Sequence, residues 1–367
     1  MTTETQPLVA AESNIFAQID ELGHEQVVFC HDRHTGLKAI IAIHNTVLGP
    51  AMGGTRMWAY SSESAALEDA LRLARGMTFK NAMAGLHLGG GKAVIIGDAR
   101  KMKTEALLRM YGKFIKNLNG KYITAEDMGM TERDMEDIAQ ETSYVAGLPE
   151  YRGGSGSPSG MTALGTYVGM KAAAKKAFGT DSLEGKTIAV QGVGSVGEIL
   201  IEYLSKEHAK IYVTDVFEER VKKIASRFNV IVVGTEEIYD VPADIYSPCA
   251  MGATINDNTL ERLKAQVIAG CANNQLADED IHGTACMRKG ITYVPDFVIN
   301  SGGVINIATE IAGSYNRAWA TAKTEEIYDR VMQVLTVAEQ QQRNAQVVAT
   351  ELAWQRIQNI ARIKATY

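Results

Sequence analysis

The chain alternates short apolar runs with segments whose apolar positions recur at helical spacing. Four apolar or β-branched runs predict strands at residues 25–30, 37–43, 92–97 and 121–127. Between them, Ser64–Arg75 has helical spacing, and a second helix is predicted from Thr104, which serves as its N-cap. The first part of the chain is therefore predicted to mix strands and helices.

The composition changes near residue 150, where EYRGGSGSPSG predicts a loop between two units. Beyond it, β runs alternate with helical segments, which favours a doubly wound parallel sheet. We predict an α/β protein with an N-terminal catalytic domain at 1–148 and a Rossmann-like domain at 149–339. C-terminal helices at about 340–367 are expected to join the first domain.

The charge and the composition restrict the classes of molecule that the protein is expected to bind. A net charge of −6, without a basic run, argues against nucleic acid and membrane surfaces and favours small molecules. MTTETQPLVAAESN lacks the pattern of a signal peptide, and apolar stretches fall short of a membrane span, so we expect a cytoplasmic protein. The four cysteines lack CxxC spacing, and Cys30, His31 and His34 fit a hairpin better than a metal site, so no metal is predicted.

IAVQGVGSVGEIL carries a dinucleotide-binding signature. Gly192, Gly194 and Gly197 form GxGxxG between a predicted strand and a helix, which suits a pyrophosphate at a helix N-terminus. Glycines also serve simple turns, but the next strand ends on Asp215, where an acid binds the ribose hydroxyls and repels a 2′-phosphate. We predict NAD rather than NADP, and assign Ser195 and Val196 of the loop to the same site.

Two lysines occur in GMTFKNAMAGLHLGGGKAVIIGD, a segment with little other charge. Lys80 and Lys92 could be ordinary surface residues, but the glycines and the second ammonium would lower a lysine pKa toward the range of a base. Asp127 ends a predicted strand and could balance this charge, or act only as an N-cap. Asn273 could present its amide to a ribose or substrate, or make an Asx turn.

Several motifs together resemble one family, the glutamate/leucine/phenylalanine/valine dehydrogenases. In chain order they are GPAMGGTRMW, GMTFKNAMAGLHLGGGKAVIIGD, YITAEDMG, VQGVGSVG, YSPCAMGATIN, AGCANNQLAD and PDFVINSGGVIN. The resemblance covers roughly residues 20–360. It implies reversible NAD-dependent oxidative deamination of an L-amino acid to a 2-oxo acid and ammonia, in a homo-oligomer that is often an octamer.

The resemblance also implies roles for single residues. Lys80 would hold the substrate carboxylate, Lys92 would activate the attacking water, and Asp127 would relay protons to the amine. The remaining assignments are Gly53 and Gly54 beside the substrate, Thr162 and Asn273 near the nicotinamide and its ribose, and Cys249 and Ala250 in the cofactor site.

The side-chain pocket implied by the resemblance is apolar. Its positions are Met52, Ala125, Val304 and Ile307. Because none of them is a cation, a glutamate side chain would be left unpaired, and an apolar substrate is expected. Val304 and YITAED favour branched-chain amino acids, namely leucine with valine and isoleucine. The alternatives are an enzyme for phenylalanine or another aromatic amino acid, and a ligand-sensing module that binds NAD without turnover.

Overall fold

The computed structural model describes residues 15–365, which group into two units. The first unit comprises the described residues up to Thr46 with Pro50–Thr78 and Gly89–Tyr144, and the second comprises 47–49, 79–88 and the rest of the chain from Val145. The segment MTTETQPLVAAESN and the last two residues, which belong to the predicted domain ranges, lie outside the described residues.

The first unit contains a six-stranded mixed sheet. Its strands are β1 (Gln26–Asp32), β2 (Leu37–Asn45), β3 (Ala51–Met52), β4 (Thr55–Trp58), β5 (Gly89–Ile96) and β6 (Tyr122–Ile123). Its helices are α1 (Ile15–Leu22), α2 (Glu63–Met83), α3 (Glu105–Lys116) and α4 (Glu132–Ala139), although the last residues of α2, from Phe79, group with the second unit. The order is β1-β2-β5-β3-β6, and β4 also pairs with β5. Strand β5 therefore lies at the centre of the sheet.

Apolar residues of α2 cover one face of this sheet, where Leu67 and Leu71 pack with Ile40 and Val94. The predicted hairpin is confirmed by the antiparallel pairing of β1 with β2. The predicted N-cap is also confirmed, because Thr104 accepts a hydrogen bond from the Leu107 amide at 3.2 Å.

The second unit contains a six-stranded sheet in which all strand pairs are parallel. Its strands are β7 (Thr187–Gln191), β8 (Lys210–Thr214), β9 (Val230–Val232), β10 (Ile245–Pro248), β11 (Val267–Ile268) and β12 (Thr292–Tyr293). The order is β12-β11-β10-β7-β8-β9. This doubly wound order confirms the Rossmann-like prediction.

Helices connect and flank these strands. They are α5 (Ser159–Phe178), α6 (Ser195–Lys206), α7 (Glu218–Arg227), α8 (Asp257–Arg262), α9 (Glu279–Arg288), α10 (Asp296–Ile299), α11 (Gly302–Ile311), α12 (Arg317–Glu325), α13 (Ile327–Gln341) and α14 (Ala345–Ala365). Helix α5 ends where Gly179 adopts a left-handed φ of 77°. Among residues 15–365, no helix is both long enough and apolar enough to cross a bilayer.

Three details differ from the sequence predictions. Helix α2 continues beyond Arg75 to Met83, so that Lys80 lies in its last turn. Strand β5 begins at Gly89, before the predicted strand at 92–97, so that the glycines before Lys92 lie inside it, and β6 is shorter than the predicted strand at 121–127. The described part of the predicted C-terminal helices groups with the second unit, together with residues 79–88.

Candidate active site

Lys92 lies in the central strand of the first unit and is 5% exposed. Its Nζ donates a hydrogen bond to Oδ2 of Asp127, which follows the short strand β6. The other oxygen, Oδ1, accepts from Arg56 Nε at 3.3 Å and from the Met128 amide at 2.5 Å. The structure thus brings together two of the predicted catalytic residues and adds a second cation to the pair.

These two cations determine the charge of Asp127. Burial acts to raise the pKa of its carboxyl group, but the Lys92 ammonium and the Arg56 guanidinium outweigh burial and hold that pKa well below its usual range. Asp127 is therefore a carboxylate at neutral pH. Arg56 is in turn held by Asp69, whose carboxylate lies 2.9 Å from its Nη1.

Glycines let the backbone approach this pair. A Cβ on Gly53 would lie 1.8 Å from the Gly91 carbonyl oxygen, and one on Gly54 would lie 2.4 Å from the Glu126 carbonyl oxygen. A Cβ on Gly90 would meet Thr78 at 2.1 Å. Three motifs that are remote in the sequence therefore pack backbone against backbone, and close packing alone explains these glycines.

Lys80 has its own surroundings in the second unit. Its Nζ donates to Oδ1 of Asn273 at 3.0 Å, and the same oxygen accepts from Asn300 Nδ2 at 2.8 Å. Asp296 adds negative charge: burial raises the pKa of its carboxyl group, while the Lys80 ammonium acts against that rise. Lys80 thus donates a hydrogen bond to the side-chain amide of Asn273 and interacts electrostatically with Asp296.

The predicted dinucleotide loop lies between strand β7 and helix α6. Gly192 adopts a φ of 105°, and a Cβ on Gly197 would lie 2.2 Å from the Gly192 carbonyl oxygen. At Gly194, the N-cap of α6, a Cβ would meet only Arg220, at 3.8 Å. The loop is therefore tight at two glycines and open at the one where the helix N-terminus would face a phosphate.

Asp215 is tied to this loop, since its carboxylate accepts from the amides of Val193 and Phe217, each at 2.9 Å. Ala250 packs against Gly192, and Cys249 lies 3.9 Å from a Cβ built on Gly197. The Thr162 hydroxyl donates to the Pro158 carbonyl at 3.0 Å, in the first turn of α5.

The four predicted pocket residues divide between the units. Met52 and Ala125 belong to the first unit, and Val304 and Ile307 belong to the second. Val304 is half-buried, whereas the other three are buried. Within the described residues, no three His, Cys, Asp or Glu side chains are grouped so that they could hold a metal ion.

Sequence reasoning did not identify three charged residues, Arg56, Asp296 and Glu310. The Glu310 carboxylate accepts from the amides of Gly147, Leu148 and Ser155 at 3.0, 3.1 and 3.0 Å. It therefore binds one residue of the segment 150–160, which was predicted to be a loop between domains, and two residues just before that segment. No spacing rule connects Glu310 with that segment. Asp296 offered one signal, because it follows a β run as Asp127 and Asp215 do.

Two models of protein families match this chain. Residues 24–144 match the family model described as Glu/Leu/Phe/Val dehydrogenase, dimerisation domain, and residues 153–216 and 212–364 match the model described as Glutamate/Leucine/Phenylalanine/Valine dehydrogenase.

Similar proteins support the same grouping along nearly the full chain. A leucine dehydrogenase of Bacillus cereus is 55% identical over 96% of each chain, and a phenylalanine dehydrogenase of Caldalkalibacillus thermarum is 46% identical over 96% of this chain and 95% of its own. The crystal structure of L-tryptophan dehydrogenase from Nostoc punctiforme superposes with a TM-score of 0.83 at 42% identity, covering 95% of this chain and 99% of that one.

Proposed function

Because the chain belongs to the glutamate/leucine/phenylalanine/valine dehydrogenase family, we propose that it catalyses NAD-dependent oxidative deamination of branched-chain L-amino acids. The family makes it an amino acid dehydrogenase that uses a nicotinamide cofactor. The products are a 2-oxo acid, ammonia and NADH, and the reaction is reversible. Higher identity to leucine dehydrogenases than to a phenylalanine dehydrogenase favours leucine, with valine and isoleucine as further substrates.

The pair formed by buried Lys92 and half-buried Asp127 is the observation that carries this proposal. After hydride loss the substrate is an iminium ion, and a water molecule must lose a proton as it attacks the imino carbon. Lys92 accepts that proton when its own proton has moved to Asp127 or to solvent, and Asp127 delivers a proton to the departing amine. Arg56 keeps the carboxylate charged between turnovers.

Lys80 is assigned to the substrate carboxylate. As an ammonium in the last turn of α2, it can form a charge-assisted hydrogen bond with that group. Asn273 orients its Nζ through the 3.0 Å hydrogen bond. Asp296 lowers the cost of keeping the ammonium charged in a half-buried position.

The glycine loop fits a dinucleotide, because the backbone at Gly194 is open and the first turn of α6 has no side-chain cap. When bound, the nicotinamide accepts the hydride from the substrate Cα. We assign the amides of Ser195 and Val196 to the pyrophosphate and Asp215 to the adenosine ribose. A carboxylate there disfavours a 2′-phosphate, which supports NAD over NADP.

Met52, Ala125, Val304 and Ile307 are assigned to the side-chain pocket. All four are apolar, so a carboxylate side chain would be desolvated there without a cation. Pocket shape discriminates one methylene by only about 1 to 3 kcal/mol, so several branched-chain substrates should turn over. We also propose a homo-oligomer, because the model matching residues 24–144 is described as a dimerisation domain.

The assay that tests this proposal follows NADH and ammonia formed from leucine. We expect the two products in equal amounts, and we expect Lys92→Ala to abolish turnover while NAD still binds. Lys171→Ala is the matched control, because Lys171 also forms a half-buried ion pair, with Glu207. Near-normal turnover by Lys92→Ala, with the control equally active, would exclude Lys92 as the base.

A further inference from the structure

Two cysteines lie side by side at the carboxyl edge of the parallel sheet. Strands β10 and β11 pair Tyr246 with Ile268, and Cys249 and Cys271 each lie three residues further along. The two segments that follow these strands stay adjacent as far as the cysteines, because the Ala272 amide donates to the Pro248 carbonyl at 3.0 Å. The two cysteines therefore occupy neighbouring positions on adjacent segments of the same polypeptide.

This spacing suits a covalent bond. Neighbouring strands lie about 4.8 Å apart, which is within the Cα separation that a disulfide spans. The sulfurs also face the same region, since Cys271 Sγ contacts the Cys249 carbonyl oxygen at 4.0 Å and Cys249 Sγ lies 3.4 Å from Ser247 Oγ. Both cysteines are half-buried, whereas Cys30 and Cys286 are buried.

The two thiols have different chemical characters. A hydrogen bond from the Cys271 thiol lowers the pKa of Cys249, and the same interaction raises the pKa of Cys271 well above its usual value. Burial raises the pKa of the other two cysteines, Cys30 and Cys286, to about 12. Because the thiolate is the reactive form, Cys249 is the preferred site of attack on an oxidant.

We propose that Cys249 and Cys271 form a peroxide-sensitive dithiol that closes into a disulfide beside the glycine loop. The Cys249 thiolate attacks a hydroperoxide oxygen, the O–O bond breaks, and the leaving oxygen departs as water or an alcohol after protonation. The Cys271 thiol then attacks the sulfur of the Cys249 sulfenic acid, the S–O bond breaks, and water leaves with the thiol proton. The two sulfurs lose two electrons, and the peroxide gains them.

The disulfide would change the surroundings of the cofactor loop. Its geometry draws the two Cβ atoms to about 3.8 Å. Ala250, the next residue after Cys249, packs against Gly192, and Asn273, two residues after Cys271, binds Lys80. We expect oxidation to displace both contacts and to weaken NAD binding. This consequence rests on the proposed function, whereas formation of the bond does not.

The bond is tested on the full-length protein with hydrogen peroxide, followed by digestion without reductant and mass spectrometry. We expect a linked peptide that contains Cys249 and Cys271, and a fall in free thiols from four to two. Conversion of Cys249 to sulfinic or sulfonic acid without the linked peptide would overturn the proposal, as would full retention of all thiols.

Cys271→Ser tests the consequence, because it removes the resolving thiol and leaves Cys249 in place. Peroxide should weaken NAD binding to the unsubstituted protein by about tenfold or more, since displacements near 1 Å at a reacting site are costly, and dithiothreitol should restore it. Cys271→Ser should lose this reversible response, and Cys286→Ser should keep it. Unchanged NAD affinity in the linked protein would overturn the coupling. Failure of the reduced protein to bind NAD would instead count against the proposed function.

Discussion

The buried side chain of Lys92 is stabilised by residues that lie far from it in the sequence. The glycines before it are visible in the sequence, and so is the acid at position 127. Arg56 is not distinguished by spacing, because β4 comes beside Asp127 through a contact remote in the sequence, the parallel bridge of Thr55 with Glu126. Sequence reasoning therefore found the lysine and the acid that the structure brings together, and it missed the cation that keeps the carboxylate charged.

A second residue, His44, leads to a prediction about how stability depends on pH. It is buried in β2, where Nδ1 lies 2.7 Å from Thr78 Oγ1 and Nε2 lies 3.1 Å from the Leu22 carbonyl. Burial lowers the pKa of His44 from 6.5 to about 4, with further lowering by His24 and Arg75 and a partly opposing hydrogen bond to Leu22. The folded protein thus binds this proton more weakly than the unfolded chain does.

Stability from this group is fully present above pH 6.5 and is lost as the pH falls toward 4. The loss reaches on the order of 3 kcal/mol at the low end of the window. Urea unfolding of the native protein at pH 7 and pH 5 should show it, and His44→Gln should show a smaller difference between the two pH values. His31→Gln, at an exposed site, is the control; an undiminished pH effect in His44→Gln would contradict the assignment.

At the scale of elements, the position of Lys92 depends on strand β5, whose glycines let neighbouring strands and helices approach its backbone closely. Gly53, Gly90 and Gly91 lie where a Cβ would enter a neighbouring backbone or ring. The sequence shows the glycines but not their contacts, because a glycine run is equally compatible with a loop. Only the strand order, with β5 between β2 and β3, makes them part of a sheet.

Gly53→Ala should therefore destabilise the first unit and reduce turnover together. Its Cβ would lie 1.8 Å from the Gly91 carbonyl oxygen, so one strand must move. We expect a loss of about 1 to 3 kcal/mol or more in the free energy of unfolding. Gly76→Ala is the matched control: no atom outside its own helix and chain neighbours lies within 4 Å of that Cβ, and alanine should stabilise the helix by about 0.5 to 1 kcal/mol. Equal effects of the two substitutions would contradict this account of β5.

The segment before α5 offers a second prediction at this scale. The composition of residues 150–160 indicated a loop, yet Glu310 of α11 binds the Ser155 amide within it and the amides of Gly147 and Leu148 just before it. Glu310→Gln halves the acceptor capacity and brings an amide N–H against these donors, which should cost about 1 to 3 kcal/mol locally. Faster hydrogen exchange at Gly147, Leu148 and Ser155 is the expected result, with the exposed Glu325→Gln as control. Unchanged exchange would show that other contacts hold the segment.

For the whole molecule, the fold of each unit could be predicted from the sequence better than which segments belong to which unit. The parallel sheet, the glycine loop and Asp215 follow from local alternation of strands and helices, and the structure confirms the fold. The units are less accessible to sequence reasoning, because residues 79–88 and the last helices group with the second unit through contacts remote in the chain. Fold and family are thus evident locally, whereas the surroundings of Lys80 depend on long-range packing.

The central claim is that this dehydrogenase prefers branched-chain amino acids with NAD. A single steady-state measurement tests it most directly: kcat/KM for NADH formation with L-leucine, compared with L-phenylalanine under the same conditions. We predict a higher kcat/KM for leucine, because apolar residues of limited size are assigned to the pocket. A higher kcat/KM for phenylalanine, or no NADH with either amino acid, would contradict the account.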